Sequence, residues 1–72
     1  MGIVSNKTAT LKVIRSNKKE RTITIEKTFT DGSKTRYKSV TLSKDEWHYM
    51  TQHATENDIK NFLKSDNYYI LK

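Results

Sequence analysis

The stretch 26–39, EKTFTDGSKTRYKS, decides how this chain folds. It reads as two polar strands about an Asp31-Gly32 turn, and it is followed by VTL, the apolar run a returning strand needs. On the incoming side RTITIEKTFT (21–30) alternates. Ile23, Ile25, Lys27 and Phe29 share one face, and Thr22, Thr24, Glu26, Thr28 and Thr30 share the other. The oddity is that the apolar face ends in a lysine and a lone ring, where core residues usually stand.

Three loop lengths compete for this hairpin. A two-residue Asp31-Gly32 loop sets Ile25 opposite Lys38 and Lys27 opposite Arg36, both poor cross-strand pairs. A three-residue loop pairs Glu26 with Lys38 but splits the apolar residues between faces. A four-residue Asp31–Lys34 loop sets Ile23 opposite Leu42, Ile25 opposite Val40 and Phe29 beside Arg36, at the cost of Lys27 facing Lys38. This last register is the expected one. It puts Lys27, Phe29, Arg36 and Lys38 on one side of the hairpin's outer half, beyond the core, and leaves Tyr37 the only aromatic of the opposite, threonine-rich face.

Upstream, TATLKVIR (8–15) is a strand candidate with Ala9, Leu11 and Val13 on one face and Thr10, Lys12 and Ile14 on the other. SNKKE (16–20) follows as a polar turn holding Lys18 and Lys19. Downstream, SKDEWHYM opens a helix, with Ser43 and Glu46 spaced as a capping box. Trp47, Met50 and Ala54 form its apolar stripe. TEND (55–58) is a second cap, Ile59, Phe62 and Leu63 the stripe of a short second helix, and YYILK (68–72) a final edge strand. The fold class is therefore α+β: an antiparallel sheet of three to four strands covered by one or two C-terminal helices, in the order β-β-β-α-α-β.

The totals narrow the function. Seventy-two residues, no proline and no repeat make one domain, near the lower size limit for a core-stabilised fold. With no cysteine there is neither a disulfide nor a thiolate metal site. The start MGIVSNKTAT has no apolar h-region, its Met1-Gly2 with Asn6 at position six falls short of a myristoylation signal, and no apolar run suits a bilayer span. Asn6-Lys7-Thr8 is a glycosylation sequon only in form. These readings point to the cytoplasm.

The net charge of +6 is uneven. Residues 1–42 hold ten Lys or Arg against three acids, whereas residues 43–72 hold four against five. A positive field on the strand-rich part raises the local concentration of phosphate-bearing partners. Cations tracking phosphates beside ring faces for stacking are what single-stranded nucleic acid requires. The candidate binding residues are Lys12, Lys18, Lys19, Lys27, Phe29, Lys34, Arg36, Tyr37 and Lys38. Plain solubility is the competing explanation of the charge, and a Phe29 folded over the core the competing explanation of the ring.

Catalysis has little to stand on: only two glycines, no phosphate loop, and no H-E-x-x-H. His48 and His53 lie five residues apart, off the i, i+4 spacing of a helical metal pair. No enzyme activity, cofactor or metal is expected. Asn57, Lys60, Asn61 and Lys64 on the second helix offer a further reading, a helix-turn-helix-like duplex binder. A rival of another class is a regulatory protein, of a phage or mobile element for example, whose basic face docks on an acidic protein.

At SVTLSKDEW (39–47) the chain resembles the positive-cofactor-four family of transcriptional coactivators. Those proteins run an apolar-x-Leu strand end into a Ser or Asn cap and an aromatic early in the helix; here these are Val40, Leu42, Ser43 and Trp47. The resemblance implies a curved sheet packed on a helix, a dimer, and single-stranded DNA held along basic and aromatic strand residues, with Lys27, Phe29, Arg36 and Lys38 in that ridge. The chain departs from the family in carrying a second helix and a further strand after this junction.

Overall fold

The computed structural model describes residues 9–71, so the readings made on residues 1–8 and on Lys72 lie outside it. The elements are β1 (Thr10–Asn17), β2 (Thr22–Thr28), β3 (Lys34–Ser39), α1 (Lys44–Gln52), α2 (Glu56–Leu63) and β4 (Tyr68–Leu71). The strands form one antiparallel sheet in the order β1-β2-β3-β4. The architecture is the expected α+β arrangement, with β4 at an edge beside β3.

Both helices cover one face. Ile23 and Ile25, each fully buried, meet Trp47 and Met50 of α1 and Ile59 and Phe62 of α2, with Leu42 closing the cluster. Leu11, Val13, Tyr37, Ala54, Leu63 and Tyr68 pack around it. Trp47 is anchored as well as buried, its indole N–H donating to the Thr22 carbonyl at 3.1 Å. The helices begin where the polar caps sit. Ser43 Oγ accepts the Glu46 N–H at 3.2 Å but Glu46 makes no return bond, whereas Thr55 and Asp58 form a complete reciprocal box. No helix among the described residues is long and apolar enough to cross a membrane.

The β2–β3 register differs from all three considered. Phe29 closes the hairpin, its carbonyl accepting from Gly32 N–H at 2.9 Å and its N–H donating to the Ser33 carbonyl at 2.8 Å. The turn is therefore Thr30–Gly32, three residues ending in Gly32 at φ +93°, the left-handed position this loop demands. Asp31 braces it by accepting from both Ser33 N–H and Ser33 O–H, at 2.9 and 2.7 Å. Ile25 now faces Tyr37 rather than Val40, and Glu26 faces Arg36. The shift from the expected register is three residues, an odd number, so every β3 side chain changes face.

Two consequences correct the expected core. Val40 stands 45% exposed, because the odd shift turns it, with Arg36 and Lys38, away from the helices. Leu42 still enters the core, but through a loop rather than a strand: its N–H donates to the Arg21 carbonyl, and Arg21 Nε–H donates back to the Leu42 carbonyl, both at 2.8 Å. What β3 loses in Val40 it recovers in Tyr37, which packs edge-on against Tyr68 with ring centroids 5.2 Å apart. Burial raises the Tyr37 phenol above its ordinary pKa, with the neighbouring Tyr68 adding to the effect.

Candidate nucleic-acid interface

The predicted quartet does not share a face. Lys27 and Phe29 lie on the helix side, whereas Arg36 and Lys38 point to the opposite, uncovered side. This follows from the odd shift of β3, and it separates the ring from the two cations expected beside it. The cation over the Phe29 ring is instead Lys27, two residues back on the same face, with Nζ 5.0 Å from the ring centroid. Tyr37 moves the other way, from the threonine-rich face onto the core.

The structure thus has two basic regions. The first is a groove of about 860 Å³ on the helix side, between the outer hairpin and α2. Phe29, Tyr37 and Tyr68 supply its rings, and Lys27, Lys60 and Lys64 its cations. Asn57 also lines it, so three of the four residues offered by the duplex-binding reading face the hairpin rather than stand apart from it. Glu56 lies in the same groove but is engaged, its Oε2 accepting the Leu11 N–H at 2.8 Å.

The second region is the face of the sheet opposite the helices, which nothing among the described residues covers. Lys34, Arg36 and Lys38 project from alternate positions of β3, about 7 Å apart along the strand. Lys12 stands across β1 and β2 from them, opposite Glu26. Arg15 joins them for a reason that alternation conceals. A bulge between Val13 and Arg15 shifts the β1 register, so that Arg15 pairs with Thr24 on the open face instead of following Leu11 and Val13 onto the core. Tyr69, paired with Lys38 and 51% exposed, is the ring on this face.

One carboxylate sits among these cations. Glu26 is only 5% exposed, shielded by long side chains from the flanking strands. Arg36 Nε–H donates to its Oε2 at 3.3 Å, and Lys34 Nζ lies 4.0 Å from its Oε1. Lys38 pairs at 3.6 Å with Glu20, which lies in the β1–β2 turn. The cationic side chains remain accessible: those of Lys34 and Arg36 are 55% and 57% exposed while bridged. Lys18 and Lys19 are exposed in the same β1–β2 turn, at the end of the sheet.

Six of the nine predicted residues therefore lie on or beside the open face (Lys12, Lys18, Lys19, Lys34, Arg36 and Lys38), and Lys27, Phe29 and Tyr37 lie on the other. Tyr69, with Tyr37 and Tyr68 a secondary stacking candidate in the sequence, is the one of the three on the open face. Arg15 was missed, because period-2 reading points it the wrong way. Compared with family models, with curated proteins and with solved structures, the chain matches none of them.

Proposed function

We propose that this protein binds single-stranded nucleic acid, without catalysis, across the uncovered face of its sheet. The observation that carries the reading is the composition of that face: Lys12, Arg15, Lys34, Arg36 and Lys38 around the carboxylate of Glu26, with Glu20 meeting Lys38 from the β1–β2 turn. Cations repeated along neighbouring strands follow a phosphate backbone. Tyr69 offers a ring on which a base stacks, an interaction worth about 1–3 kcal/mol per base and indifferent to sequence. The ion pairs do not cancel the field, since the bridged side chains of Lys34 and Arg36 stay more than half exposed to a phosphate backbone. The likeness to the positive-cofactor-four family points the same way, to a protein holding unpaired strands.

The test is an anisotropy titration of a labelled single-stranded oligonucleotide at several salt concentrations, with the duplex as competitor. Log K falls linearly with log salt, by about 0.7 per phosphate neutralised on a single strand. The doubly substituted Lys12→Ala/Arg36→Ala protein binds more weakly and with a shallower slope. Absence of binding at low salt, or the same affinity in the double variant, removes the proposal.

A further inference from the structure

The two edges of the sheet are built differently, and the difference concerns what can be added to them. β1 is closed to a further strand. Its Leu11 N–H is taken by Glu56 at 2.8 Å, its register is broken between Val13 and Arg15, and it carries Lys12 and Arg15. Bound amides, bulges and charges are the devices by which edge strands avoid unwanted partners. Among the described residues β4 has none of them. Its sequence YYIL is uncharged, its register with β3 is unbroken, and Tyr69, Ile70 and Leu71 are 51%, 57% and 38% exposed.

Its hydrogen-bond phase can be read from the bond that starts the β3–β4 ladder. Val40 N–H donates to the Asn67 carbonyl at 3.0 Å, making 40 and 67 a hydrogen-bonded pair. Antiparallel pairs alternate, so Lys38·Tyr69 and Arg36·Leu71 are bonded pairs too. The N–H and C=O groups of Tyr68 and Ile70 consequently point away from β3, to the free edge.

We infer that a second copy of this chain pairs with β4 through its own β4, antiparallel about a two-fold axis at Tyr69. This register sets Tyr68 against Ile70 of the other copy, and Ile70 against Tyr68, so that all the outward groups of both residues are bonded. Tyr69 meets its own symmetry mate on the open face. Self-pairing is favoured over two alternatives. Head-to-tail addition of β4 to β1 of another copy meets an edge already blocked. An acidic peptide finds no cation on β4 itself, whose exposed side chains Tyr69, Ile70 and Leu71 are uncharged and match those of a second copy. The join also buries apolar surface that a domain of this size needs, and it merges two basic faces into one eight-stranded sheet.

The experiment is sedimentation equilibrium of the full chain over a concentration series, combined with amide hydrogen exchange. The expected mass at high concentration is twice 8.5 kDa. The amides of Tyr68 and Ile70 are then protected, and lose protection on dilution. Tyr69→Glu, which sets two carboxylates face to face, and Ile70→Pro, which removes an outward N–H but no bond to β3, shift the protein to monomer with its circular dichroism unchanged. A monomer at every concentration overturns the inference, including one that takes up an added strand peptide. So does a dimer that both folded variants leave intact. If either variant unfolds, exchange in the wild-type dimer decides, and Tyr68 and Ile70 amides as fast as that of Thr30 overturn it. None of these readouts involves nucleic acid, so the dimer and the binding function stand or fall separately.

Discussion

Arg36 reaches across the β2–β3 pair to Glu26, its Nε 3.3 Å from Oε2, on the side of the sheet that no helix covers. Glu26 is the acid that bridges both Arg36 and Lys34, so its removal separates charge from shape. Glu26→Gln keeps the volume and deletes the negative charge. Affinity for single-stranded oligonucleotide is expected to rise, with a steeper salt dependence, because Arg36 and Lys34 are released to phosphate. The fold is expected to survive, since the Gln amide oxygen still accepts from Arg36 and both cationic partners are more than half exposed. Titrations of the two proteins at matched salt check this, and equal or weaker binding by the variant contradicts it.

The hairpin turn makes a second test. Gly32 has φ +93° and no atom within 4 Å of the place a Cβ would occupy. Space is therefore not the constraint, and the backbone is. Gly32→Ala is expected to lose about 1–2 kcal/mol by the left-handed penalty alone. Removing the Asp31 brace with Asp31→Ala lowers stability further. Chemical denaturation curves of the single and double variants measure both effects. A neutral Gly32→Ala shows that the turn adopts a different geometry in solution.

This turn is also where the sequence was hardest to read. The elements themselves were legible, because β-branched alternation, the Ser43 and Thr55 caps and the Trp47–Met50 and Ile59–Phe62 spacings each specify one local structure. The register was not, since it depends on which apolar residue of β3 wins the core. Val40 looked the better partner for Ile25, but Tyr37 packs against the core together with Tyr68, and Gly32 suits the third position of a three-residue turn. That one choice carried Arg36 and Lys38 to the other face. The β1 bulge was equally hidden, for nothing in KVIRS marks where alternation breaks.

Asp58 ties the start of α2 to α1. It accepts from Tyr49 O–H at 2.6 Å and from Thr55 N–H at 3.0 Å. The bond from Tyr49, then that from the Thr55 backbone, hold its carboxyl below the usual aspartate range. In the unfolded chain Asp titrates near 3.9. Its contribution to stability is therefore fully present above that value and is lost as pH falls through the lowered native one. Asp58→Asn lacks the contribution at every pH. The stability difference between wild type and variant is expected to be largest near neutrality and to shrink toward pH 2. Tyr49→Phe, which removes the first cause, narrows it as well. Urea denaturation across this range supplies the comparison, and a difference independent of pH excludes the linkage.

The sharpest discrimination uses two cations that simple alternation places on the wrong sides. By period two Arg15 belongs with Leu11 and Val13 on the core side, yet the bulge delivers it to the open face opposite Thr24. Lys27 was expected beside Arg36 and Lys38, yet it lies in the α2 groove above Phe29. If strands bind across the open face, Arg15→Ala weakens binding about as much as Lys12→Ala and lowers the salt slope by one phosphate contact, about 0.7. Lys27→Ala has a much smaller effect, limited to the long-range loss of one charge, and that remainder fades as salt shortens the Debye length. Each variant changes net charge by the same amount, so a difference between them reports position and not overall field. Equal losses in Arg15→Ala and Lys27→Ala mean that charge alone attracts the polyanion. A larger loss in Lys27→Ala moves the binding site to the groove.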